Sequence, residues 1–151
     1  MGLRSRRKGC AFELVVRDRI LSAFKAVPAL TVRRSSQAER AYESDLIIEG
    51  PHVPKHLGEL WVECEHANKP NPSKKFEQGC RDALRYEERM ELARVPVVCW
   101  RATGDRTIWL STSLANVNYM FGGTSLPYFG SHLLVTTALD EALAALAKRS
   151  E

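Results

Sequence analysis

Two glutamates lie two residues apart in the segment LWVECEH, residues 60–66, whose composition is typical of a β-strand. Alternation along a strand places Glu63 and Glu65 on one face and Cys64 on the other. Asp45 opens the preceding predicted strand, DLIIEG, and joins the two glutamates if these strand ends lie side by side. Three carboxylates held together repel one another, and a divalent cation with oxygen ligands, Mg²⁺ or Mn²⁺, relieves that repulsion.

The same acidic face also fits a simpler explanation. An edge strand often carries charged side chains on its exposed face, because they discourage pairing with another sheet. Alternation alone does not choose between a metal site and a solvated edge, so the other polar groups of the chain must be considered with it.

A cluster of basic residues precedes the first predicted helix. Lys and Arg number 22 against 18 Asp and Glu, which gives a net charge of +4 and an isoelectric point near 9.0. This excess permits a polyanionic partner without requiring one. We expect residues 1–8 to form an N-terminal arm that is either solvated or follows a phosphate backbone. Its basic members are Arg4, Arg6, Arg7 and Lys8.

The cysteines and histidines do not have the spacing of a metal centre or of a compact disulfide framework. His52 and His56 are four residues apart, but Pro51 and Pro54 prevent the helix that would bring them to one face. We therefore expect no zinc site, and we expect the cysteines to be free and largely buried thiols. They are Cys10, Cys64, Cys80 and Cys99.

Hydrophobic periodicity predicts three helices and at least five strands. Residues 8–26 place Phe12, Val16, Ile20 and Phe24 at a constant i+4 step, which indicates an amphipathic helix. The other predicted helices are 71–92 and 137–149, the predicted strands are 29–34, 45–50, 59–66, 95–100, 106–111 and 132–136, and the predicted loops are 35–44 and 112–130.

The order of these elements predicts one α/β domain, residues 9–151, with a mixed central β-sheet flanked by helices. A chain of 151 residues with 44% hydrophobic content is large enough to bury a core of this kind. The predicted strands 45–50 and 59–66 are expected to form a hairpin. No apolar run approaches the roughly 18 residues that cross a bilayer, so we expect a cytoplasmic protein without a membrane partner.

Several short motifs, in this order, resemble the archaeal and phage Holliday junction resolvases of the PD-(D/E)XK nuclease superfamily. The resemblance covers residues 8 to about 100 and implies a restriction-endonuclease-like nuclease fold. It also implies divalent-metal-dependent hydrolysis of DNA at four-way junctions, with 3′-hydroxyl and 5′-phosphate products. The motifs are KGxxFE at 8–13, VRRSS at 32–36, SDLII at 44–48 and VECEH at 62–66.

The resemblance implies a role for each matching residue. Asp45 and Glu63 correspond to metal ligands, and Glu65 to a further ligand or a water-orienting base. Glu13 corresponds to an outer carboxylate of the site, and Gln78 to a hydrogen-bonding group within it. The family's flexible DNA-contacting loop corresponds to Arg33, Arg34, Ser35 and Ser36.

One position departs from the family pattern, which is acid, any residue, lysine. Glu65 stands where the family has the lysine that positions water and balances charge. Some restriction endonucleases of the superfamily carry glutamate there and remain active. Alternatively, the missing charge comes from Lys69, Lys74 or Lys75, with His66 a weaker candidate because neighbouring strand residues face opposite sides.

The expected partner is a four-way DNA junction, and the expected assembly is a homodimer. A four-way junction is two-fold symmetric, so paired symmetric nicks require two active sites. The aromatic-rich segment 112–130 and the apolar helix faces are candidate dimer contacts. Two alternatives remain: another nuclease of the superfamily that acts on duplex or flap DNA, and a non-catalytic DNA-binding relative. The compact chain and the resemblance favour a phage origin.

Overall fold

The computed structural model describes residues 2–123 and 133–150. Within these residues the chain forms a six-stranded sheet, five α-helices and one turn of 3-10 helix at Glu39–Ala41. The strands are β1 Thr31–Arg34, β2 Leu46–Glu49, β3 Leu60–Ala67, β4 Val95–Ala102, β5 Trp109–Ser113 and β6 Leu134–Ala138. The α-helices are α1 Leu3–Ala23, α2 Lys55–Gly58, α3 Pro72–Met90, α4 Leu114–Met120 and α5 Leu139–Arg149.

The strands lie in the sheet in the order in which they occur along the chain. Strands β3 and β4 are parallel, and α3 makes the crossover that a parallel pair requires. Every other neighbouring pair is antiparallel. The predicted single α/β domain with a mixed sheet is therefore confirmed, and so is the predicted antiparallel pairing of the second and third strands.

The central strand β3 shows the predicted alternation of its side chains. Val62 lies in the main core, which also contains the apolar faces of α1 and α5. Trp61 points to the opposite side of the sheet and packs against Ala83 and Tyr86 of α3. Glu63, the next residue on that side, thus faces α3 as well, which positions its carboxylate under the helix.

The first helix begins earlier than the sequence predicts. It starts at Leu3 instead of Lys8, so the basic cluster occupies the first turns of α1 and is not an extended arm. Arginine and lysine are good helix formers, and no proline interrupts this stretch. Arg6, Arg7 and Lys8 are exposed, whereas the side chain of Arg4 lies outside the described part of the structure.

Other predicted boundaries also differ from those of the structure. The predicted loop 112–130 contains α4. Ser113 caps the start of this helix, because its hydroxyl accepts a hydrogen bond from the backbone N–H of Asn116 at 3.2 Å. Tyr128 and Phe129, two aromatic residues of that predicted loop, lie outside the described residues. Strand β5 begins three residues after the predicted start at 106. Helix α5 has Ala138 at its N-cap without a side-chain cap, and the hydroxyl of Thr137 instead donates to Glu141 at 3.3 Å.

None of the helices in the described residues is both long and apolar enough to cross a membrane.

Candidate active site

Two carboxylates meet where β2 begins beside β3. Leu46 pairs with Val62 in the antiparallel register, so Asp45 and Glu63 are the next residues along and lie side by side. The backbone N–H of Cys64 donates to Asp45 Oδ2 at 2.8 Å and holds that carboxylate in place. We call Asp45 and Glu63 the acid pair.

Lys75 neutralises part of the acid pair from the first turn of α3. Its Nζ lies 2.8 Å from Glu63 Oε2 and 3.5 Å from Asp45 Oδ2. The helix start is well defined, because Pro72 occupies its first turn and the Asn71 side chain accepts a hydrogen bond from the Lys74 N–H at 3.1 Å. Burial lowers the pKa of Lys75, but Asp45 and then Glu63 outweigh this effect and raise it above its ordinary value. Lys75 therefore stays charged.

Glu63 has a strongly perturbed acidity. Only 4% of the residue is exposed, and this burial, followed by repulsion from Asp45, raises the pKa of Glu63 to about 7. Lys75 and the indole of Trp61 oppose the shift, since Trp61 Nε1–H donates to Glu63 Oε1 at 2.9 Å. Both oxygens of this carboxylate thus have a partner, and its orientation is determined by α3 and by its own strand.

Two residues that the sequence patterns did not single out shape the acid pair. Trp61 is the indole donor just described. Gly79 lies on α3 directly over Glu63, where an added Cβ would come within 3.1 Å of Glu63 Cγ. The absence of a side chain at Gly79 lets the helix approach the strand closely. Helical periodicity predicts the apolar face of this helix but carries no information about what lies beneath position 79.

The Glu65 carboxylate has a different partner from the acid pair. Its Oε2 accepts a hydrogen bond from the backbone N–H of Asn71 at 3.0 Å, at the start of α3. Lys69 and Gln78 are exposed, and neither side chain makes a hydrogen bond or ion pair within the described residues. Among the three lysines left open by the sequence, Lys75 is therefore the one beside the carboxylates. The roles predicted for Glu65, Lys69 and Gln78 stay predictions.

A second polar cluster lies between α1 and the loop that follows β1. The carboxylate of Glu13, 5% exposed as a residue, forms ion pairs with Arg34 and with Arg40, the latter at 3.0 Å. These residues line a cavity of about 540 Å³ together with Arg6. Three guanidinium groups face one carboxylate there, so the cavity carries excess positive charge. We call it the arginine pocket.

The arginine pocket contains a hydrogen-bonding group without a partner in the described residues. Ser35 is 4% exposed, lines the pocket, and its Oγ has no hydrogen-bond partner there. A buried hydroxyl in this state costs free energy unless a bound group satisfies it. The backbone N–H of Ser35 donates to the Asp45 carbonyl at 3.1 Å. This hydrogen bond connects a residue of the pocket to a residue of the acid pair.

The remaining residues of the predicted DNA-contacting loop have partners within the protein. The guanidinium of Arg33 contacts both Glu39 and Glu49 at 3.1 Å. Hydrogen bonds to Glu39 and then Glu49 raise the pKa of Arg33 further above its ordinary value. The Ser36 hydroxyl accepts from the Glu39 N–H at 3.2 Å. Arg33 is thus engaged by acids, whereas Arg34 and Ser35 face the pocket.

The cysteines are free, as the sequence predicts. Cys80 and Cys99 are buried, and Cys10 and Cys64 are partly buried. Burial, followed by Cys99, raises the pKa of Cys64 well above its ordinary value, and Asp45, Glu13 and Glu63 raise it further. Cys10 lies in the arginine pocket, and its Sγ accepts a hydrogen bond from Arg34 Nη2 at 2.9 Å.

The acid pair offers two carboxylates as donors to a hard divalent cation. No group of three or more His, Cys, Asp or Glu side chains that would hold a metal occurs among the described residues. Mg²⁺, however, is commonly held by one or two carboxylates, with waters and substrate phosphate oxygens completing its shell. Asp45 and Glu63 already converge on one cationic group, the Lys75 ammonium, and so fit a site of this two-carboxylate kind.

A scan of protein-family models, a search of curated proteins and a search of solved structures each gave no match to this chain.

Proposed function

We propose that this protein is a divalent-metal-dependent DNA endonuclease of the Holliday junction resolvase type, with the restriction-endonuclease-like fold of the PD-(D/E)XK superfamily. The observation that carries the proposal is the acid pair with Lys75, which a backbone hydrogen bond from Ser35 to Asp45 connects to an arginine-rich cavity. A phosphodiester nuclease needs both features, because it must bind a cation at the reacting phosphate and hold the anionic backbone next to it.

The arginine pocket supplies the backbone contacts in this proposal. Arg34 and Arg40 are held in place by Glu13 yet remain 30% and 41% exposed at their side chains, so their outer N–H groups are accessible to a phosphate. Guanidinium groups bind phosphate oxygens in a bidentate manner. The unpartnered hydroxyl of Ser35 donates to an oxygen of the same phosphate.

Asp45 and Glu63 hold Mg²⁺ or Mn²⁺ in the proposed enzyme. When bound, the ion lowers the pKa of a coordinated water and neutralises charge as the leaving oxygen departs. Trp61 and the Cys64 N–H orient the two carboxylates from within the fold. Lys75 takes the place of the family lysine, because its ammonium lies between the carboxylates and the helix and balances their charge.

The proposed substrate is a four-way junction, and the proposed assembly is a homodimer that acts in the cytoplasm. Two nicks related by two-fold symmetry require two acid pairs with the same symmetry, which one chain does not supply. The resemblance of the KGxxFE opening at 8–13 and of the Arg-Arg-Ser-Ser loop at 33–36 favours the junction over duplex or flap DNA as the substrate.

One cleavage assay tests the proposal. Wild type and Asp45→Asn are incubated with a synthetic four-way junction, a matching duplex and a flap, each with and without Mg²⁺. We expect paired symmetric nicks in the junction only with wild type and Mg²⁺, and junction binding by both proteins. Asp18→Asn, on the exposed surface of α1, is the matched control and should cleave like wild type. Equal cleavage by Asp45→Asn would contradict the assignment.

A non-catalytic DNA-binding protein is the second candidate, and the same contacts motivate it. Lys75 already neutralises the acid pair, and Glu65 is bonded to Asn71. In that case wild type binds the junction but leaves it intact at every Mg²⁺ and Mn²⁺ concentration. Cleavage of duplex or flap in preference to the junction would instead identify another nuclease of the superfamily.

A further inference from the structure

An aromatic side chain is displayed on the surface close to the acid pair. Tyr42 follows the 3-10 turn between β1 and β2 and is 45% exposed. The guanidinium of Arg89 on α3 lies over its ring, 5.0 Å from the centroid. Arg89 Nη2 also donates to the Tyr42 carbonyl at 3.1 Å. The tyrosine is therefore attached to the helix and not free on its loop.

The contacts continue from Tyr42 towards the interior. Arg89 lies 5.6 Å from the ring centroid of Tyr86, which is buried and packs on Trp61 with centroids 5.4 Å apart. Trp61 in turn donates to Glu63. A continuous series of contacts, through Arg89, Tyr86 and Trp61, thus links the exposed ring to the acid pair. Tyr42 is also only three residues from Asp45, a span of at most about 10 Å of extended chain.

The surroundings of Tyr42 are rich in arginine. A small cavity beside it, about 80 Å³, is lined by Arg40, Arg85 and Arg89. Two acids also line it, Asp82 and Glu43, and Asp82 is 3.5 Å from Arg85. Arg40 lines the arginine pocket as well, so the two cavities share a wall. An exposed aromatic ring among guanidinium groups suits a ligand that is both planar and anionic.

We propose that Tyr42, backed by Arg89, is a stacking site for an unpaired nucleobase of the DNA substrate. The proposal rests on the nuclease function proposed above and specifies how that protein selects branched DNA. A branch point exposes base faces that a continuous duplex keeps stacked. An aromatic ring stacks on any base, and stacking contributes about 1–3 kcal/mol per base in proteins that bind single strands. Arg40 and Arg85 then hold the adjoining phosphates.

Binding to two oligonucleotides tests the stacking site without relying on cleavage. The probes are oligothymidylate and an abasic strand of the same length, in buffer without divalent ions. We expect wild type to bind the strand with bases about tenfold more tightly than the abasic strand. Tyr42→Ala should remove this preference, and Tyr42→Phe should retain it. Phe121→Ala, which removes a ring 43% exposed after α4, is the matched control and should bind like wild type.

A second measurement uses the unaltered protein and does not depend on the folding of any variant. Oligonucleotides with 5-iodouracil are irradiated with wild type, and the cross-linked residue is identified by mass spectrometry. Attachment to Tyr42 is expected, and attachment elsewhere overturns the proposal. If wild type binds the two strands equally, only the stacking site is refuted. If it binds neither strand nor the junction, the proposed nuclease function is refuted too.

Discussion

The acid pair and the arginine pocket use the same two kinds of charged group in opposite proportions. In the acid pair, two carboxylates share one ammonium, and burial with mutual repulsion raises the pKa of Glu63 to about 7. In the pocket, Arg34 and Arg40 share the one carboxylate of Glu13, and a third arginine, Arg6, lines the cavity. One site is therefore short of positive charge and the other is short of negative charge. The ratio of carboxylates to cationic groups thus gives the two sites net charges of opposite sign.

The largest expected effect comes from removing the single cation of the acid pair. Lys75→Met should lower junction cleavage by about 100-fold or more, because preorganised charge at the reacting phosphate contributes on that scale. Lys74→Met is the matched control, since Lys74 is exposed on the same helical turn. Lys69→Ala should also cleave normally. A larger loss in Lys69→Ala than in Lys75→Met would assign the family lysine's role to the loop instead.

The corresponding change in the arginine pocket should affect stability. Glu13→Gln keeps the shape of the side chain but leaves Arg34 and Arg40 without their acidic partner. We expect the free energy of unfolding, from urea denaturation, to fall by about 2 kcal/mol, since hydrogen bonds to charged groups contribute about 1.5–3 kcal/mol. Asp18→Asn, which breaks only the exposed pair with Arg17, should change it by less than about 1 kcal/mol. Equal effects would show that the pocket is as solvated as the surface.

Arg6 and Arg33 allow the contribution of the pocket to DNA binding to be distinguished from the contribution of positive charge in general. Arg6 lines the pocket and has no ion pair within the described residues, whereas Arg33 is held by Glu39 and Glu49. Arg6→Gln should reduce the slope of log affinity against log salt by about one, the loss of one phosphate contact. Arg33→Gln should leave the slope unchanged. Salt titrations of junction binding decide this, and equal slopes in the two variants would argue against a defined phosphate site.

The smallest effect should come from adding one methyl group beside the acid pair, at Gly79, or beside the arginine pocket, at Gly9. Gly79→Ala places a Cβ within 3.1 Å of Glu63, so we expect cleavage to fall several-fold as the carboxylate shifts. Gly9→Ala is the comparison, because nothing lies within 4 Å of a Cβ there. In the interior of α1 that change should raise the free energy of unfolding by about 0.5–1 kcal/mol. Unaltered cleavage by Gly79→Ala would show that Glu63 tolerates displacement.

Much of the fold was predictable because it depends on local patterns. The i+4 step from Phe12 to Phe24 identified α1, and the apolar run at Val95 identified the central strand β4. Boundaries were less predictable where no local signal existed. The basic residues before Lys8 continue the helix without a cap, and α4 lies in a segment that reads as polar and aromatic loop.

The candidate site was predictable in part. Alternation along β3 and the position of Asp45 before β2 were sufficient to bring Asp45 beside Glu63. The same alternation places Glu65 on the face of Glu63, but it does not predict that the Glu65 carboxylate accepts a hydrogen bond from the Asn71 N–H at the start of α3. A strand pattern specifies the face on which a side chain lies, but not the partner that a neighbouring helix offers it.

The sequence by itself determined the three long helices α1, α3 and α5, the central strands and the two neighbouring carboxylates, since each follows from spacing within a few residues or from pairing of adjacent strands. Only the tertiary structure decided the partners: Lys75 for the acid pair, Arg34 and Arg40 for Glu13, and Gly79 as the point of close approach. These partners come from elements distant along the chain. Their positions depend on how α1 and α3 pack on opposite faces of the sheet, and packing of that kind leaves no periodic signal in the sequence.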